Sequence, residues 1–430
     1  MKCNRGVNMA ELKAGVGRSK ITPKIGAELI GYVNRPSTGV HDDIHVRALV
    51  LDDGKTALAL VSVELLWLQD SLIADIREAV AESCDLKPEQ IFIWTTHTHS
   101  GPAPHHADDW TTPLHELIAD AVVEAYEARQ PAKLGVGFGQ LYGYSINRRW
   151  LNRPIDPSVA VIRVDSADGK RLAVVGNYAC HAVVMGYDSL LISGDWPGYS
   201  SRHLETFLGN GAVALFGQGG AGDINPLTET LRQQLNAGHP VEAIGELSQY
   251  YGAKDARDAY NIGDRGGGKF LECESLALAY NAEVLRVWRG IKPVADVPLW
   301  TKQLHIDGAV SADEPQARGM TDAHHSMLPI GKAAKMEIML VGIGEALLCS
   351  QPGEVFSESS VEYRKVCQRM GVGYPILISY ANGGYAYLPP ANAFLEGGYE
   401  VGWALEIGVS RHLQDRIMSE VRATVAEHIK

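Results

Sequence analysis

The chain has 430 residues, 46% of them hydrophobic, and a formal net charge of −12, which is enough apolar material for a large core without disulfide staples. The acidic balance argues against a nucleic-acid partner and against an anionic membrane surface, and leaves a small-molecule substrate. Six scattered cysteines with no C-x-x-C pair, no signal-like run and no apolar run of membrane-spanning length point to a reduced, cytoplasmic protein without stable membrane insertion.

In chain order, Gly15, Gly17 and Pro23 punctuate an extended segment, GVGRSKITP. Runs 45–51 and 57–63 flank Asp52-Asp53-Gly54-Lys55, a hairpin signal. Glu64 follows the second run and reads as a loop-edge charge. Asp70 reads as the cap of a helix with Ile73, Ile76, Ala79 and Val80 on one side. Residues 91–95, IFIWT, read as a buried strand that runs into His97-Thr98-His99 before the breakers Gly101, Pro102 and Pro104. Residues two apart on an extended chain face the same way, so His97 and His99 can enter one pocket. Thr112-Pro113 then opens a helix whose Leu114, Leu117, Ile118, Ala121, Val122 and Ala125 form a packing face.

Residues 143–149, GYSINRR, read in isolation as a surface loop. A second hairpin, 159–164 with 172–178, turns at Asp168-Gly169 and delivers Cys180-His181 beyond its outgoing strand. Asp195 reads as a helix N-cap. A short buried strand at 212–216 precedes Gly217-Gln218-Gly219-Gly220-Ala221-Gly222-Asp223-Ile224-Asn225-Pro226. That stretch matches G-x-G-x-x-G in outline, but no helix opens inside the glycines, so it reads as a backbone turn at a site edge rather than a nucleotide cradle. Residues 227–335 read as insertion or lid material, with a break at 263–268, a helix at 270–288 and His324-His325 in a loop. A third hairpin, 336–341 with 346–349, leads to Pro352-Gly353-Glu354 and a helix at 357–367. The strand 376–380 then empties into ANGGYAYLPP, which carries Tyr385 and Tyr387.

His97, His99, His181, Glu354 and Tyr385 or Tyr387 therefore all follow apolar strands, and all are nitrogen or oxygen donors suited to zinc. The alternation of strands and helices predicts an α/β fold with mixed β-sheets flanked by helices. One large catalytic domain over 1–430 is expected, with 227–335 inserted in it. Oligomeric state is not legible, and a homo-oligomer stays open.

In its motifs the chain resembles the neutral/alkaline non-lysosomal ceramidases, through GVGRSKITP, THTHSGP, SINR, the His181 stretch with ISGDWPGYSS, GDINP, PGEVF, and ANGGYAYLPP followed by GGYE. The resemblance implies a ceramidase catalytic-domain-like fold and one Zn2+ held by His97, His181, Glu354 and Tyr387. Tyr387 is favoured over Tyr385 by its spacing from Asn382. It also implies that His99 and Arg148 polarise the substrate carbonyl. Where the family has G-D-V-S-P, this chain has Gly222-Asp223-Ile224-Asn225-Pro226, and an amide cannot replace the serine as a nucleophile. The chain is also shorter than the family's full-length members and has no C-terminal β-sandwich counterpart, which turns the expectation away from ceramide itself. The expected activity is zinc-dependent hydrolysis of an amide (N-acyl) bond by an activated water. Asp223 or His99 would take the proton, and Arg148 with Asn225 would stabilise the oxyanion. Hydrolysis of an ester, lactone or sugar-type substrate, and a zinc-binding protein with altered catalysis, are the alternatives.

Overall fold

The computed structural model describes residues 11–32, 34–150, 153–236, 267–309 and 335–428. Its largest sheet has eight strands, in the order Val213–Gln218, Arg171–Tyr178, Ser158–Ser166, Gln130–Gln140, Lys13–Lys20, His45–Asp52, Ala57–Val63 and Ile91–Thr95. The pairs Ala57–Val63 with Ile91–Thr95 and Arg171–Tyr178 with Val213–Gln218 are parallel, and the other neighbours are antiparallel. Lys13–Lys20 and Gln130–Gln140 share only the pairs Lys13↔Pro131 and Ala14↔Gln130. The sheet therefore opens there into two four-stranded leaves.

The two leaves face each other across one core. Leu49, Leu60, Phe92 and Trp94 of one leaf pack with Ile162, Val175 and Leu215 of the other. A second sheet, Leu299–Ile306, Met336–Ile343, Ala346–Ser350 and Tyr374–Ile378, adds Met339, Val341, Leu348 and Ile378 to the same cluster. Each of the three strand layers is covered on its other face by helices. Asp70–Ser83 and Leu114–Glu127 cover the first leaf, and Asp195–Leu208 and Phe270–Gly290 cover the second. Ser357–Arg369 and Leu413–His428 cover the smaller sheet.

This layering explains why the strands read as continuous apolar runs rather than alternating ones. In Ile91–Thr95, Ile91 and Ile93 face the helices while Phe92 and Trp94 face the shared core. All three hairpins form, and each turn has a glycine with positive φ: Gly54, Gly169 and Gly344.

Some expectations need correction. Asp70 and Asp195 are the first residues of their helices rather than N-caps, which fall on Gln69 and Gly194. The Asp70 carboxylate accepts the Tyr385 hydroxyl instead, at 2.9 Å. Glu64 is not a loop-edge charge: it is 1% exposed and paired with Arg47 at 2.6 Å. Within 227–335, the helix Phe270–Gly290 and the strand Leu299–Ile306 belong to the scaffold, because both fill the clusters just described. Residues 237–266 and 310–334, which hold most of the 263–268 break and His324-His325, lie outside the described residues. The five described cysteines, Cys84, Cys180, Cys273, Cys349 and Cys367, are buried and unbridged. No described helix is long and apolar enough to cross a membrane.

Candidate metal centre

The strand Ile91–Thr95 hands the chain to His97 through a residue pair held by its parallel neighbour. Thr96 N–H and His97 N–H donate to the carbonyls of Val63 and Leu65, both at 2.9 Å. His97 takes a left-handed backbone, φ +63°, a conformation that is costly for a non-glycine residue and is kept only where the surroundings enforce it. Its Nδ1 lies 2.8 Å from the Leu66 carbonyl. An imidazole facing a carbonyl must carry its proton there, so Nε2 is left as a lone pair pointing into the site.

His181 reaches the same place from the other leaf. Its Nδ1 lies 2.6 Å from the Ala221 carbonyl, its backbone N–H donates to Ile224 O, and a bridge between Thr98 and Ala182 ties the two histidine segments together. Its Nε2 is buried without a hydrogen-bond partner among the described residues, although Glu354 Oε2 is 3.1 Å away. His97 Nε2 is 3.7 Å from the same oxygen and 3.2 Å from His99 Nε2. One ligand atom from each of His97, His99 and His181 lies within 4.8 Å of the others. Burial holds the His97 and His181 imidazoles neutral, down to about 3, and places His99 well below its ordinary value.

The His97 and His181 lone pairs thus face the Glu354 carboxylate at 3.7 and 3.1 Å, with His99 Nε2 3.2 Å from His97 Nε2. Oxygen and nitrogen ligands 2.0–2.1 Å from a tetrahedral ion stand about 3.3 Å apart. Neutral imidazoles whose second nitrogen is held by a carbonyl are the usual form of a metal-binding histidine. The donor set therefore fits a divalent cation.

Glu354 and Tyr387 are register partners in a two-residue parallel pair. Burial raises the Glu354 carboxyl above its usual range and the Tyr387 phenol well above its own, while Arg148 acts in the opposite sense on both. Arg148 Nη2 donates to the Tyr387 hydroxyl at 2.8 Å, Nη1 to Asn225 Oδ1 at 3.3 Å, and Nε to Glu400 at 2.9 Å. The SINRR stretch is thus no surface loop. Ser145–Asn147 pairs with Ile224–Pro226, and this pairing sets Arg148 and Asn225 side by side.

The structure brings His97, His99, His181 and Glu354 together and joins Arg148, Asn225 and Tyr387 by hydrogen bonds. Tyr385 bonds to Asp70 instead. Asp223 has both carboxylate oxygens engaged, by Asn147 Nδ2 at 2.6 Å and the Ser357 N–H at 2.8 Å. Burial still raises it to about 6. Its two bonds make it a brace between the loops that carry Asn147 and Ser357.

Two site residues escaped the sequence reading. Tyr380 stacks on the His97 ring at 3.9 Å between centroids. Glu400, 2% exposed, holds Arg148 and, at 2.6 Å, Arg149. Each had a signal, Tyr380 at the end of an apolar strand and Glu400 in GGYE. The glycines at 220 and 222 answer to packing: a Cβ there would lie 2.7 Å from Phe356 O and 2.6 Å from Glu354 O. Protein backbone fills the space over that loop.

Comparison with known proteins agrees with this geometry. The neutral ceramidase of Mycobacterium tuberculosis is 26% identical over 257 residues, covering 50% of this chain and 40% of that protein. Neutral ceramidase A of Dictyostelium discoideum is 28% identical over 255 residues, covering 50% and 36%. The chain therefore aligns with well under half the length of these relatives. Among solved structures, a ceramidase complexed with C2 superposes with a TM-score of 0.73 at 17% identity, over 96% of this chain and 76% of that one. The neutral ceramidase of Pseudomonas aeruginosa gives 0.70 at 19%, over 95% and 75%. Both share its fold. The sequence model described as neutral/alkaline non-lysosomal ceramidase, N-terminal, matches residues 12–237, more than half of the chain, and the chain belongs to that family.

Proposed function

We propose that this chain is a zinc-dependent hydrolase that cleaves the amide bond of an N-acyl small molecule. The observation that carries this reading is the convergence of buried, neutral His97, His99 and His181 on the Glu354 carboxylate, beside a guanidinium bonded to a phenol. The relatives are named for ceramide, itself an N-acyl compound, which favours an amide over other bonds.

His97, His181, Glu354 and Tyr387 would hold the ion. When bound, zinc supplies Lewis acidity and lowers the pKa of a water from ~15.7 towards ~7. His99 is the side chain that would accept a proton from the attacking water, since its Nε2 faces the cluster. Arg148, held by Glu400, directs Nη1 and Nη2 towards the Asn225–Tyr387 side of the site and would stabilise negative charge developing on the carbonyl oxygen. The water oxygen bonds to the carbonyl carbon, the C–N bond breaks, and the proton passes through His99 to the leaving nitrogen. Asn225 takes no covalent part.

The test is a panel of N-acyl, ester, lactone and glycoside compounds offered to the zinc-loaded protein. Amide cleavage, lost on His99→Ala with zinc retained, is the expected result. Turnover confined to esters or glycosides would move the scissile bond. No turnover of any kind, with zinc bound, would favour the second reading that Asn225 motivates, a zinc-binding protein with altered catalysis.

A further inference from the structure

Four arginines are buried among the described residues: Arg35, Arg47, Arg77 and Arg149. Three have carboxylate partners. Arg47 pairs with Glu64 and Glu205, Arg77 with Glu337, and Arg149 with Glu400 and Glu396. Arg35 pairs with no carboxylate among the described residues. Asp188, which acts on it through space, is bonded instead to the Gly267 N–H at 2.8 Å.

The Arg35 guanidinium is nevertheless held in a fixed pose. Nη2 donates to the His99 carbonyl at 2.9 Å and Nε to the Ser189 carbonyl at 3.0 Å. The Tyr32 ring lies 5.0 Å from its carbon and 4.9 Å from the His99 imidazole. Nη1 is buried and has no hydrogen-bond partner among the described residues. A buried cation with an unused donor is expensive to keep, and such groups are ordinarily paired. Arg148, the other guanidinium at the centre, has a carboxylate partner in Glu400, which it shares with Arg149.

We propose that Arg35 is the carboxylate-binding end of the substrate site, and that the substrate is an N-acyl amino acid rather than an uncharged amide. The inference rests on the amide-hydrolase reading above for the reaction, and on Arg35 alone for the charge. Arg35 is bonded to the backbone of His99, whose side chain faces the cluster. In an N-acyl-α-amino acid the carboxylate carbon stands two bonds beyond the scissile nitrogen, about 3 Å of covalent path. An N-acyl amino acid bound with its carbonyl among the imidazoles and its carboxylate on the His99 side would meet Arg35, which is hydrogen-bonded to the His99 carbonyl. A charge-assisted pair there would supply both affinity and discrimination.

The test uses the zinc-loaded full chain and two non-hydrolysable probes, N-methylsulfonylglycine and its carboxamide, with binding measured by calorimetry. The wild type is expected to bind the acid at least about tenfold more tightly than the amide. The ratio should fall near one in Arg35→Gln and be partly kept in Arg35→Lys. Equal affinities in the wild type overturn the proposal, and that comparison needs no variant to fold. A preference that survives in folded Arg35→Gln also overturns it, assigning the acid to the metal or to Arg148. If Arg35 only braces the His99 loop, its replacement lowers stability without a prior preference to lose. Absence of amide turnover with the acid preference intact would overturn the assigned reaction and leave the carboxylate site standing.

Discussion

At the scale of single residues, the centre depends on side chains whose direction is dictated by backbone. His97 and His181 are aimed by carbonyls of Leu66 and Ala221, and His99 is confined from behind by Gly31. A Cβ on Gly31 would lie 2.6 Å from His99 Nδ1, at a φ of +101° that disfavours any other residue. Gly31→Ala should therefore lower stability by about 1 kcal/mol or more and cut turnover about ten- to a hundredfold through the displaced imidazole. Urea titration and steady-state kinetics with zinc retained check both. Asp195 offers a pH test away from the metal site. Burial outweighs its bonds to the N–H groups of Val184, Met185 and Trp196 and raises its carboxyl to about 6. A folded-state value above the unfolded one of about 3.9 means that the native state takes up the proton first as pH falls. The cost of burying the charge is thus full above about 6 and is relieved towards 4. The wild type should gain stability relative to Asp195→Asn between pH 7 and pH 4, which thermal melts across that range would register. The paired histidines were legible as ligand-type residues beyond a strand, although the chain is not extended there as assumed: His97 turns left-handed, and both rings still reach one site. Glu400 lay in a visible motif, GGYE, but its role was not legible, since it exists only once residues 148 and 400 meet.

At the scale of elements, strand Ile91–Thr95 is the most demanding segment, because both of its faces are buried and its end carries His97. Ile93, fully buried against the helices, should cost about 2–5 kcal/mol when replaced by Ala. The urea midpoint should fall with an unchanged slope. The hairpins could be read from turn chemistry at Asp53-Gly54 and Asp168-Gly169, where the backbone requirement is local. The parting of Lys13–Lys20 from Gln130–Gln140 could not, because two shared residue pairs leave no mark on periodicity. The helix Phe270–Gly290 was recognised as a helix but placed in a lid. Its burial against Val161, Val174 and Ala214 comes from the non-local leaf it covers, which its own sequence does not announce.

At the scale of the whole molecule, three strand layers share one core, and the site lies where their connecting loops converge. His97 comes from the first leaf, His181 from the second, and Glu354 with Tyr387 from loops that follow strands of the smaller sheet. An ion at that point ties the layers together, so its removal should be felt globally. Binding at a hundred times the dissociation constant adds about 2.7 kcal/mol; chelation should lower the melting temperature by a few degrees, and added zinc should restore it. The α/β class was legible because strand and helix runs alternate along the chain. The facing of the two leaves was not, since nothing local distinguishes a strand buried between sheets from one buried between a sheet and a helix.

The most direct test is metal analysis of the purified wild type and His181→Ala, paired with their hydrolytic rates on an N-acyl substrate. The account predicts one zinc per chain and turnover in the wild type, with both lost in the variant while the fold survives by circular dichroism. A metal-free His181→Ala protein that keeps the full rate would contradict it.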